Sequence, residues 1–150
     1  MDLSRFKWPV IILVVAGVFW LLSEGGINFM HKRFTTPPAQ PSAEKDKLNE
    51  NGLTRLGQFL IVTFRYQKAT AVITDALRLF PEGEHALLNE YRLAKCYEKT
   101  GKFAEASNIL LRLKNINANQ YDERIPPPDV IALRLDKLVE THELGEIGRY

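Results

Sequence analysis

The chain has one cysteine, Cys96, in 150 residues, so no disulfide can close within it and cysteine usage does not separate a reducing compartment from an oxidising one. Its three histidines, His31, His85 and His142, fall in different segments with no companion four positions away. That pattern belongs to isolated surface or packing histidines rather than to a metal site. No GxxxxGK(S/T), HExxH or GxSxG run is present, and the sequence offers no starting point for the commonest motif-borne chemistries. No catalytic residue, cofactor, metal or small-molecule substrate is therefore expected. Charge of one sign is also scarce. With Arg5, Lys7, Lys32, Arg33, Asp2 and Glu24 set aside, residues 44–150 carry 16 basic and 16 acidic side chains, and the net charge of +2 comes from the N-terminal flanks. A balanced domain has no basic stripe to lay on a phosphate backbone, so nucleic acid is not an expected partner. Hydrophobic residues at 45% and charged residues at 25% exclude a mainly disordered chain.

What is present begins with an apolar run. Pro9 to Leu22, PVIILVVAGVFWLL, holds no charge, and Phe6, Trp8, Ile27, Phe29 and Met30 extend it. A helix from Phe6 through about Met30, rising about 1.5 Å per residue, could cross a hydrocarbon layer of roughly 30 Å. Lys7 and Trp8 suit one interface, and Phe29, His31, Lys32 and Arg33 suit the other. Glu24 is the misfit. It reads more readily as an interfacial carboxylate where Gly25 and Gly26 loosen the helix than as a functional intramembrane acid. The sequence SEGGINF after Leu22 has no small-residue cleavage site, which favours an uncleaved signal anchor over a secretory leader. A short basic N-terminal tail stays most simply in the cytoplasm. The expectation is a single-pass protein of a bacterial inner membrane, in contact with lipid through its N-terminal helix and with its remainder in the periplasm.

The chain divides on this reading into an anchor with its flanks at 1–33, a Pro-rich linker at 34–47 and a helical domain at 48–150. Pro37, Pro38 and Pro41 bias the linker toward polyproline geometry, a semi-stiff spacer reaching about 30 Å.

Beyond the linker, apolar residues recur at helical intervals without sustained strand alternation, which predicts an all-α fold. Leu56-Gly57, Leu60, Tyr66, Ala69, Ile73, Ala76 and Pro81 form one register. Leu93-Ala94, Tyr97, Gly101, Phe103, Ala106, Leu110 and Leu113 form a second, 37 positions later, with three extra residues placed around Gly83 to His85. Small Ala69 and Ala106 suit close helix crossings, Tyr66 and Phe103 open the second helix of each pair, and Gly101 suits a left-handed helix stop. Cys96 falls where the pattern wants a small buried residue. Asp129, after three prolines, is a plausible N-cap for a last, capping helix with Ile131, Leu135, Leu138 and His142 on one face. The segment Asn115 to Pro128 is long for a repeat junction and reads as an ordered loop available for contact.

These two registers resemble the tetratricopeptide repeat over about Leu48 to Leu113, with weaker support to Leu144. The resemblance implies two helical hairpins plus a cap, and an inner groove, lined by the first helix of each hairpin, that binds extended peptides. The corresponding positions here are Arg55, Gln58, Tyr91, Arg92, Lys95 and Glu98, three of them basic and suited to an acidic segment or a terminal carboxylate. The same charges could equally form a solvated face paired with Glu90 and Glu98. The function this implies is a membrane-anchored adaptor or accessory subunit that contacts protein subunits of a larger membrane complex or assists its assembly. A membrane-tethered holdase-like chaperone is the alternative, and a small membrane enzyme is a distant third.

Overall fold

The computed structural model describes residues 3–37 and 42–142, apart from the side chains of residues 3–7, 18, 21 and 22. Pro38, Pro41 and Leu144, and the side chains of Arg5, Phe6 and Lys7, lie outside what is described. The chain forms α1 (Leu3–Leu22), α2 (Glu24–Thr35), α3 (Ala43–Val62), α4 (Tyr66–Leu79), α5 (Ala86–Lys99), α6 (Phe103–Asn115) and α7 (Pro128–Thr141). One 3-10 turn, Ala118–Gln120, interrupts the segment between α6 and α7. Among the described residues there is no strand, and the all-α expectation holds.

The expected continuous helix from Phe6 to Met30 does not form. Ser23 ends α1 and caps α2, its hydroxyl donating to the Trp20 carbonyl at 2.6 Å and accepting the Gly26 amide at 3.4 Å. Beyond the break, Gly26 and Ile27 are buried, Ile27 among Leu53, Leu60 and Ile73, so the second half of the expected span belongs to the domain core. Among the described residues no helix is long and apolar enough to cross a membrane. Glu24 opens α2 after that break. It is an exposed residue paired with Lys68 of α4 at 2.6 Å, and that lysine, first by its hydrogen bond and then by its charge, holds the carboxyl below its usual range.

The segment read as a spacer also has a different place. The helix α2 runs through Thr35 and packs on α3 and α4, while Ser42 caps α3 by accepting the Lys45 amide. The intervening Pro-rich residues thus connect two packed helices inside the domain. Pro37 cannot continue the helix, and α2 ends at Thr35.

From α3 onward the helices alternate direction and pack in sequence. The hairpin α3 and α4 lies beside the hairpin α5 and α6, and α7 closes the far side against α6. The registers fall where the spacing puts them. Tyr66 and Phe103 are the first residues of α4 and α6, and Ala69 and Ala106 are completely buried. Gly57 permits the α3/α4 crossing, since a β-carbon there would come within 2.7 Å of Ile73 Cγ1. Gly101 is left-handed at φ +80, as the helix stop requires. One core gathers Leu53, Leu60, Ala69 and Ile73, and a second joins Leu110 and Leu113 to Ile125, Ile131 and Leu135. Each fully buried Leu or Ile contributes about 1.5–3 kcal/mol.

Asp129 is not the cap of α7. Pro127 holds the N-cap position and Pro128 the first helical one, where its missing N–H costs nothing, so Asp129 sits inside the first turn and favours the helix through the dipole. His142 stacks on Phe103 with ring centroids 3.4 Å apart, tying the end of α7 to the start of α6.

Candidate functional site

The first helices of the hairpins, α3 and α5, meet through polar contacts. Asn89 Nδ2 donates to Thr54 Oγ1 at 2.9 Å in a buried pair, and Arg92 Nη1 donates to the Thr54 carbonyl at 3.2 Å. Helical periodicity brings Asn51, Thr54, Arg55 and Gln58 onto the face of α3 that borders this seam. They line a concavity of about 440 Å³ together with Glu84, His85, Arg92 and Arg124.

Two loops complete it. The Gly83 to His85 turn, where the second repeat carries its extra residues, is pinned when the His85 amide donates to Glu50 Oε1 at 2.7 Å. The His85 ring then bridges: Nδ1 lies 3.1 Å from Arg124 Nη2, which can only donate, so Nδ1 is the acceptor and Nε2–H donates to Asn51 Oδ1 at 2.7 Å. Arg124 comes from the loop between α6 and α7. Asp122 orients it through Nε at 2.8 Å and Nη2 at 2.7 Å and accepts its backbone amide at 3.0 Å. These contacts hold the Asp122 carboxyl below the ordinary aspartate range. The loop itself is ordered: Ala118 and Ile125 are buried, and Asn119 Nδ2 donates to the Ile125 carbonyl at 2.7 Å.

Arg92 is the electrostatic oddity. It is half-buried, and among the described residues its guanidinium has no carboxylate partner. Desolvation first, and the neighbouring Arg124 charge second, pull its pKa below the usual arginine value, with Asp122 opposing. A cation held this way favours an incoming anion.

The six expected groove residues divide. Arg55, Gln58 and Arg92 share the concavity. Tyr91 and Glu98 do not line it, because Arg134 of α7 covers both. Arg134 Nη1 donates to Tyr91 Oη at 2.8 Å and its guanidinium carbon lies 5.3 Å from that ring's centroid, while Nε and Nη2 reach Glu98 at 2.8 and 2.9 Å. Lys95 is exposed beside them. The alternative pairing with Glu90 also occurs, but to Arg112 of α6. Sequence reasoning missed Asn51, His85, Arg124 and Arg134. His85 and Arg124 fall in the two loops that the repeat spacing marked as irregular, and nothing in the spacing singled out Arg134.

An apolar trough adjoins the cationic concavity. Met30, Phe34, Leu48, Gly52, Leu56 and Phe59 line about 550 Å³, and Asn51 and Arg55 border both spaces. Leu48 is exposed at its rim. Among the described residues, no group of three or more His, Cys, Asp or Glu is placed to hold a metal ion. Cys96 is completely buried, and burial pushes its thiol up to about 11.

Residues 63–124 match the tetratricopeptide repeat family, a stretch that takes in α4, α5, α6 and most of the following loop. No curated protein and no solved structure matches the chain. Over those residues the all-α array is similar to tetratricopeptide repeats, and that similarity suggests a role in protein–protein interaction.

Proposed function

We propose that this protein is a membrane-attached adaptor or accessory subunit whose cationic concavity receives an acidic segment or terminal carboxylate of a partner in a larger membrane complex. The observation that carries the reading is the grouping of Arg55, Arg92 and Arg124 in one concavity, with Arg92 half-buried and without a carboxylate. Membrane attachment falls to α1. Its residues from Trp8 to Gly17 are exposed on every side of the helix, and an apolar surface all round a helix calls for an apolar environment. The uncharged stretch Trp8 to Leu22 rises about 22 Å, short of a full hydrocarbon layer of roughly 30 Å, so seating it calls for a locally thinned bilayer. The basic N-terminal tail favours the bacterial inner membrane with the repeats on the periplasmic side.

The test of the groove is titration with a fluorescent peptide of aspartates and glutamates ending in a free carboxylate. Arg92→Gln removes a charge-assisted hydrogen bond worth about 1.5–3 kcal/mol, a loss of about tenfold to a hundredfold in affinity. Unchanged affinity in Arg92→Gln and in Arg55→Glu would refute the groove. A reporter fused after Tyr150 tests the topology, and activity in the cytoplasm would reverse it.

The apolar trough beside the concavity supports a second reading, a holdase that captures apolar client segments. Gentle detergent extraction separates the two: one stoichiometric partner favours the subunit, and many transient clients favour the holdase.

A further inference from the structure

Phe64 stands 37 positions before Gly101, at the same place in the repeat, and both residues adopt left-handed backbone, at φ 59 and φ 80. Glycine takes this conformation freely, whereas a residue with a β-carbon is strained there. Phe64 nevertheless carries its ring 78% exposed, with an edge-on contact to Tyr66 at 6.2 Å. Neither backbone preference nor core packing explains a phenyl group here. Val62, two residues earlier, is exposed as well.

The alternation of helix direction puts the α1/α2 junction, the α3/α4 turn and the α5/α6 turn at one end of the array. Glu24 lies two residues past the end of α1, and its carboxylate sits 2.6 Å from Lys68 Nζ. Glu24, Phe64, Lys68 and Lys99 border one shallow concavity. Lys68 neutralises Glu24, while Lys99 and Lys102 are exposed and make no ion pair among the described residues, Lys102 lying 5.5 Å from the Tyr97 ring centroid. Glu105, in the first turn of α6, and Glu140, in the last turn of α7, are the carboxylates that oppose them. The opposite end is balanced: Glu44, Asp46, Glu82, Glu84, Asp122, Glu123 and Asp129 meet Lys32, Arg33, Lys45, Lys47, Arg78, Lys114 and Arg124 at the turns and helix ends there.

We infer that the end of the array bearing Phe64 is a membrane-contacting face, with Phe64 and Val62 entering the interface of a bilayer that contains anionic lipid and with Lys99 and Lys102 on the lipid phosphates. This rests on α1 being seated in lipid, because a bilayer that holds α1 up to Leu22 ends two residues before Glu24, which shares a concavity with Phe64 and pairs with Lys68, four residues beyond it. Charge complementarity selects the lipid: Lys99 and Lys102, exposed and with no ion pair among the described residues, present their ammonium groups to anionic phosphates. An aromatic ring at headgroup depth is favourable, which accounts for a strained, solvent-facing Phe where glycine would fold more easily.

The two tryptophans, Trp8 and Trp20, both lie in α1, so native fluorescence reports the anchor alone. The full chain is reconstituted with vesicles of phosphatidylcholine, with or without phosphatidylglycerol, in which part of the phosphatidylcholine is brominated to quench nearby tryptophan. A second protein combines Phe64→Trp with Trp8→Phe and Trp20→Phe, so that its fluorescence reports the turn. The expected result is quenching of the native tryptophans in both lipids, and quenching of the Phe64→Trp reporter that is stronger with phosphatidylglycerol. Lys99→Glu with Lys102→Glu should then weaken the turn's lipid contact by about fivefold per basic residue removed, leaving the native tryptophan signal unchanged. Quenched native tryptophans with an unquenched Phe64→Trp reporter would overturn the membrane face and leave the anchor standing. Unquenched native tryptophans would overturn both. Circular dichroism that is unchanged by Phe64→Trp confirms that the reporter sits on folded protein.

Discussion

The crossing of α3 and α4 at Gly57 allows a sign reversal to be worked out in advance. In an isolated helix, Gly→Ala at an interior position stabilises by about 1 kcal/mol. Here the added methyl would meet Ile73 Cγ1 at 2.7 Å and Cδ1 at 3.3 Å, against an optimum near 3.5–4.0 Å for carbon pairs. Ile73 is completely buried and cannot swing out, so the helices must part, which costs about 1–3 kcal/mol. The penalty exceeds the helical gain, and Gly57→Ala should destabilise by about 1 kcal/mol. In an Ile73→Ala background the clash vanishes and the methyl partly fills the cavity, so the same substitution should stabilise by about 1 kcal/mol. The coupling is then about 2 kcal/mol. Urea unfolding followed by far-ultraviolet circular dichroism on the four proteins of the cycle measures it. If Gly57→Ala stabilised both backgrounds equally, the close crossing at this position would be wrong, and with it the register that pairs α3 with α4.

Gly101→Ala has open space for its methyl but must hold φ at +80, so it should cost about 1 kcal/mol in the same unfolding assay with no effect attributable to packing. Asp122 is a carboxyl with a depressed folded-state pKa, so its contribution is present above the ordinary value of 3.8 and is lost as pH falls through the lower folded value. The Arg124 side-chain NH resonance should therefore lose its protection from exchange in that acid window while the helices persist, and protection unchanged down to full protonation would refute the pairing. Cys96 should resist a thiol reagent in folded protein and react at the rate of global unfolding, since it is both buried and poorly ionised. Rapid labelling without denaturant would place Cys96 outside the core.

The repeat was legible because close packing leaves a residue-size signature: Ala69, Ala106 and Gly57 are small for steric reasons that recur at a fixed spacing. The N-terminal boundary was not. Hydropathy joins α1 to Ile27 and Met30, and nothing in a hydropathy profile distinguishes a residue buried in lipid from one buried against Leu53. Ser23 carried the missing signal, a capping hydroxyl with Glu24 in the following first turn, and it could be read as a helix start only by giving local hydrogen bonding precedence over apolar continuity. The groove was half legible for a related reason. Periodicity assigns Tyr91 and Glu98 to the same exposed face as Arg92, and only the position of α7 decides which of them Arg134 covers. Phe64 was hidden by its own departure from the pattern: a register scan looks for glycine at that place and passes over the residue that replaced it.

The placement of α2 changes how the two ends of this molecule are mechanically related. A proline-rich leash would let the repeats sweep a hemisphere around the point of attachment. Instead, Ser23 is the single residue between α1 and a helix already docked on α3 and α4, and the Glu24 to Lys68 pair braces that junction. A pull on α1 is transmitted directly to the packed array, and the concavity keeps a set azimuth and height relative to α1. On the proposed function, a partner would have to present its acidic segment at one place and one angle, so that geometry, as well as charge, filters who can bind.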